Sequence, residues 1–86
     1  MFIQLGEVRD IAIDIFSKSN RPFTIDSATY SIENEKGEEL SNGVISIDEH
    51  RLIASFNATK KGIFYMVFIY NINNEKLKAK VKVEVI

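Results

Sequence analysis

The chain reads as an all-β domain of two stacked antiparallel sheets. Three features of the sequence say so. Apolar residues alternate with polar ones at period two along most of its 86 residues, as in strands that bury one face and wet the other. Polar turn signals recur roughly every 8–12 residues. No segment repeats apolar residues at the 3.6-residue spacing of an amphipathic helix. A chain this short has room for one hydrophobic core, so residues 1–86 are expected to form a single domain.

The elements follow in order. Ile3 and Leu5 indicate a short first strand. Ile11, Ile13 and Ile15 then fall on one face of a second, with Asp10, Ala12, Asp14 and Phe16 on the other. Residues 17–22, which hold the sole proline, read as a loop. Ala28, Tyr30 and Ile32 alternate with Thr29, Ser31 and Glu33. Asn34-Glu35-Lys36-Gly37 is a polar turn whose glycine suits a positive φ. Leu40 opens the next strand, Asn42-Gly43 signals a hairpin or bulge, and residues 44–47 continue the strand. Asp48-Glu49-His50 is a further turn. Leu52, Ala54 and Phe56 alternate with Ile53, Ser55 and Asn57. Lys60-Lys61-Gly62 precedes the most apolar run, residues 63–70, and residues 71–75 form a turn. The last strand sets Leu77, Ala79, Val81, Val83 and Val85 against Lys76, Lys78, Lys80, Lys82 and Glu84. The count is about seven strands, which suits a sandwich on the immunoglobulin-like plan.

The order of these pieces carries a resemblance. Gly6-Glu7-Val8-Arg9 leads into an alternating strand. The loop and strand Arg21-Pro22-Phe23-Thr24-Ile25-Asp26-Ser27-Ala28-Thr29-Tyr30 follow, then a turn at Gly37. Lys61-Gly62-Ile63-Phe64 opens the long apolar strand, and an alternating strand closes the chain. In this order the chain resembles the immunoglobulin-like domains of tailed-phage and prophage structural proteins, such as the N-terminal domains of baseplate upper proteins. The likeness spans nearly the whole chain and is one of strands and turns. Lys61 stands where a proline is common in that pattern, and Phe64 where a tyrosine is common. The resemblance implies a structural module of a phage tail, found in the virion or in the cytoplasm of a bacterial host.

Composition and motifs point away from chemistry. Without cysteine there is no disulfide, no thiolate zinc site and no cysteine nucleophile. A formal net charge of −1 is unlike the basic patch of a nucleic-acid binder. No basic region followed by an apolar run marks a signal peptide, and no run approaches the roughly 20 apolar residues of a membrane helix. His50, the only histidine, sits in a polar turn beside Asp48 and Glu49 without the partners of a triad or metal site. The adjacent carboxylates Glu38-Glu39 and Asp48-Glu49 read as turn residues facing water, and not as a converging acid–base pair. Asn71, Asn73, Asn74 and Glu75 lack the aspartate density of a calcium loop. Asn57-Ala58-Thr59 matches a glycosylation sequon, but no signal peptide accompanies it. Asn20, Arg21 and Asn73 fall at the sandwich ends, and no residue type there singles out a ligand. The expectation is no catalytic residue, no cofactor, no metal and no small-molecule substrate.

One segment breaks the rule of one wet face. In residues 63–70 both faces are apolar: Phe64, Met66, Phe68 and Tyr70 on one, Ile63, Tyr65, Val67 and Ile69 on the other. The resemblance points Phe64, Met66 and Phe68 inward. The second set then emerges on the outside of the sheet, beside Thr29 and Ser31 on one side and the stems of Lys78 and Lys80 on the other. Two readings fit. Ile63, Tyr65, Val67 and Ile69 belong to an interface with another copy or a neighbouring virion protein, or the sheet tolerates β-favouring residues on an open face. The lysine stripe reads as a solvated face that discourages edge-to-edge pairing. A non-catalytic assembly module is the expected function. The alternative is a bacterial cell-surface or adhesin module of the same fold that binds carbohydrate or protein.

Overall fold

The structure, a computed structural model, describes residues 1–17 and 21–86; Asn20, one of the loop-end candidates, lies outside the described residues. Eight strands follow in order: β1 (Phe2–Ile3), β2 (Val8–Asp14), β3 (Ser27–Asn34), β4 (Glu39–Val44), β5 (Ser46–Asp48), β6 (Arg51–Asn57), β7 (Gly62–Ile72) and β8 (Glu75–Val85). There is no helix among the described residues. The strands make two sheets, one of five in the order β1-β8-β7-β3-β4 and one of three in the order β2-β6-β5. Every pairing is antiparallel except β1 on β8, which is parallel.

The alternation of the sequence places the core. Ile11 on β2 and Leu52, Ala54 and Phe56 on β6 meet Met66, Phe68, Val83 and Val85 from β7 and β8 in one apolar cluster. Met66, Phe68, Leu52 and Val83 have no measurable exposure. Phe64 packs at the margin of the cluster, its ring tilted against that of Phe56 at 6.0 Å.

Three details differ from the sequence reading. Residues 40–47 are not one strand. The chain leaves the five-stranded sheet after β4 and enters the three-stranded sheet as β5. Ile45 is the pivot: it is buried, and its N–H donates to the Ala28 carbonyl at 3.4 Å. Alternation continues across the crossover, so period alone did not reveal it.

Asn42-Gly43 is not a turn but the middle of β4, with Gly43 opposite Tyr30. A Cβ at Gly43 would lie 2.8 Å from the Tyr30 ring. The glycine is there because the aromatic ring lies across its backbone, a known remedy for glycine on an edge strand. The register break of this pair falls instead between Ile32 and Glu33.

The β7–β8 hairpin is longer than the sequence suggests. It pairs from Gly62–Val85 to Ile72–Glu75, leaving Asn73 and Asn74 as its two-residue tip. Both have positive φ, 48° and 67°, which is the conformation of a type I′ turn. Asparagine is among the few side-chain-bearing residues that accept this backbone.

Candidate interaction surfaces

The outer face of the five-stranded sheet is built in columns. β8 contributes Lys76, Lys78, Lys80, Lys82 and Glu84. Across the ladder, β7 contributes Asn71, Ile69, Val67, Tyr65 and Ile63. β3 follows with Ser27, Thr29, Ser31 and Glu33. The register therefore sets Val67 between Ser31 and Lys80, and Ile69 between Thr29 and Lys78.

These four apolar residues are not equally open. Val67 is only 2% exposed and its neighbour Ser31 only 5%, while Ile63, Tyr65 and Ile69 are half-buried. The closure at Val67 has a local cause. Lys80 starts in the Val67 row, but its Nζ reaches Glu33 Oε1 at 3.5 Å, in the Tyr65 row on the far side of β7. On the way it stands 6.0 Å from the centre of the Tyr65 ring. The aliphatic stem thus crosses β7 between Val67 and Tyr65 and leaves its charge in water, the usual behaviour of a long cationic side chain on apolar surface. What remains open on this face is a rim of Tyr65, Ile69 and Ile63 around a closed centre.

A second surface is the side of the molecule where the sheets end in β2 and β8. β1 occupies the β8 edge opposite Glu84 and Val85, and the Met1 amine reaches the Lys82 carbonyl, so residues 76–81 have no strand partner on that side among the described residues. β2 is likewise a sheet edge. The inward residues of β8 along this stretch, Leu77, Ala79 and Val81, are only half-buried, as are Ile13 on β2 and Ile15 just beyond it. Val8 is 64% exposed and Phe16 84%. A groove of about 670 Å³ opens at the upper end of this side, lined by Ile15, Phe16, Tyr70, Ile72 and Leu77 among others.

His50 does more than sit in a turn. Its ring stacks on Phe23 with centroids 4.0 Å apart, and Nε2 lies 2.9 Å from the Phe23 carbonyl. A carbonyl can only accept, so Nε2 carries the proton in this contact. The Ile15 N–H donates to the His50 carbonyl at 2.8 Å. His50 thereby ties both ends of the segment between β2 and β3 to the β5–β6 turn. Beside it, Arg51 Nε donates to Asp14 Oδ1 at 2.9 Å. This hydrogen bond, more than the guanidinium's charge, holds the Asp14 carboxyl below its ordinary value, and the same contact raises Arg51.

Among the described residues, no three histidines, cysteines or acids gather as a metal site. Arg21 and Asn73 both line the groove. Asn71 is committed elsewhere: its amide donates to Ser27 Oγ at 2.8 Å. The sequence singled out the β7 face because two-sided apolarity is visible in the order of residues. It missed the β2–β8 side, since no single strand records which edge lies free. The lysine stripe was the available signal. Compared with known proteins, the chain matches no family model and no curated protein.

Proposed function

We propose that the chain is a non-catalytic assembly module with an immunoglobulin-like sandwich, of the kind used in the tails and baseplates of phages and prophages. It works by packing against protein neighbours, in the virion or in the bacterial cytoplasm where particles are built. The observation that carries this reading is the order of the sheets. An immunoglobulin-type sandwich sets its second, fifth and fourth strands in one sheet and its third, sixth and seventh in the other. With β4 counted as the added strand of the variable type, the orders β2-β6-β5 and β8-β7-β3-β4 follow that plan, while the two-residue β1 departs from it by joining β8 in the larger sheet.

Fold alone assigns no function, so the surfaces supply the rest. A half-open apolar rim on β7 and two unpaired strand edges on one side are features that protein contacts use. The reading is tested by particle composition. In phage or tail-like particles purified from the organism that encodes it, the chain should be present in a fixed ratio to the tail proteins. Its absence from such particles, with the chain found instead on the cell surface, would overturn the proposal in favour of an adhesin role.

A further inference from the structure

We propose that two copies of this chain pair through their β2–β8 sides, so that β8 of each extends onto β2 of the other and two continuous eight-stranded sheets result. This rests on the assembly reading above and names the partner surface.

The two edges match in backbone, in side chain and in length. Glu84 N–H donates to the Met1 carbonyl, and the Lys82 carbonyl accepts from the Met1 amine. The even-numbered residues of β8 therefore direct their backbone groups away from β7, and by alternation those of Lys76, Lys78 and Lys80 face open solvent. On β2, Ile15 N–H donates to the His50 carbonyl and Glu7 accepts from Ala58 N–H. Odd residues thus face β6, and Val8, Asp10, Ala12 and Asp14 direct theirs outward. On both edges the residues with free backbone groups are also those whose side chains lie on the outer face of the sheet. β2 spans seven residues, and the open stretch of β8, residues 76–81, is of similar length.

Symmetry and charge select one arrangement. A two-fold axis perpendicular to the sheets would bring β8 against β8 and β2 against β2. Lysines would then oppose lysines, and Asp10 and Asp14 would oppose each other, which is unfavourable for directly paired strand residues. A two-fold axis parallel to the strands exchanges the layers and brings β8 onto β2 of the partner at both contacts. Within the chain β2 runs opposite to β8, so the new pairs are antiparallel: Val8 with Lys82, Asp10 with Lys80, Ala12 with Lys78 and Asp14 with Lys76. The acids of β2 fall within the lysine column of β8. The half-buried Leu77, Ala79, Val81 and Ile13 are covered from the side at the same time. One closed, isologous interface satisfies both free edges.

The test uses two double variants of the full chain. Lys78→Glu with Lys82→Glu changes only β8, and Val8→Lys with Ala12→Lys changes only β2. None of these four side chains makes a hydrogen bond or ion pair among the described residues. Sedimentation of the unaltered chain at up to millimolar concentration should show a dimer that weakens with salt. Each variant alone should raise the dissociation constant at least about tenfold: the added lysines of the β2 variant directly oppose Lys82 and Lys78, and the glutamates of the β8 variant replace favourable lysines diagonally beside Asp10 and Asp14. An equimolar mixture of the two should restore a heterodimer, since opposite charges meet at every altered pair. Amide exchange provides a measure that does not depend on the variants: Lys76, Lys78 and Lys80 amides should gain protection as concentration rises. A monomer at millimolar concentration, or a mixture that fails to pair while both variants stay folded, overturns this interface. Neither result touches the particle-composition test, by which the assembly reading stands or falls separately.

Discussion

Val67→Glu tests whether the centre of the outer β7 face is closed. Val67 lies outside the core cluster, on the far side of its sheet, where a glutamate would ordinarily be tolerated. At 2% exposure it nevertheless gains nearly all the stabilisation of a buried valine, about 1.5–3 kcal/mol. The substitution forfeits that and forces a carboxylate outward past the Lys80 stem. The Lys80 ammonium can then pair with it, returning roughly 0.2–1 kcal/mol as a partly exposed ion pair. The net loss should be about 1–2.5 kcal/mol. With a urea slope of about 1 kcal/mol/M for a domain of this size, the midpoint should fall by about 1–2.5 M at unchanged slope. Ile69→Lys, on the same face but half-buried, should cost less than about 1 kcal/mol. A Val67→Glu midpoint within about 0.3 M of the parent, or equal shifts for both variants, would refute the Lys80 cover as the cause of burial.

Other outcomes follow from the same geometry. Phe68→Ala removes a ring with no exposure and should cost about 3–5 kcal/mol in chemical denaturation; a loss under about 1 kcal/mol would mean the two sheets do not share that core. Gly43→Val sets a side chain where even a Cβ comes within 2.8 Å of Tyr30, and should lower stability by about 1–3 kcal/mol, an effect that Tyr30→Ala in the same chain should partly relieve. Asn74→Gly should hold or slightly raise the melting temperature, whereas Asn74→Val, at a φ of 67°, should cost about 1–2 kcal/mol. Asp14 has its carboxyl held below its ordinary value of 3.8, so the Arg51 contact stabilises the fold above that pH and ceases to as pH falls through the lowered value. Arg51→Met should return the Asp14 titration, followed by NMR, to the ordinary range.

Much of the fold was legible because a period-two pattern states directly which face of a strand is buried. The apolar faces holding Ile11 and Leu52, Ala54 and Phe56 are visible in the order of residues alone, whereas Met66 and Phe68, in a run apolar on both faces, are pointed inward only by the resemblance. What was not legible depends on contacts between distant segments. The split of residues 40–47 between two sheets rests on Ile45 bonding Ala28. Gly43 serves a ring thirteen residues earlier in the chain, although its neighbour Asn42 makes it look like a turn. Ile63, Tyr65, Val67 and Ile69 were correctly placed on the outer face beside Thr29, Ser31, Lys78 and Lys80. Their unequal burial was hidden, because it depends on a diagonal reach from Lys80 to Glu33. The role of His50 was hidden for the same reason: its partner Phe23 is 27 residues away.

Residue-resolved hydrogen exchange in dilute solution is the most direct probe of whether β8 is a free edge. Leu77, Ala79 and Val81 amides, bonded to β7, should exchange slowly, while those of Lys76, Lys78 and Lys80 between them exchange at nearly the rate of an unstructured chain. Slow exchange at all six positions in the monomer would mean that some other part of the chain already covers that strand, and that no edge is left for a partner to extend.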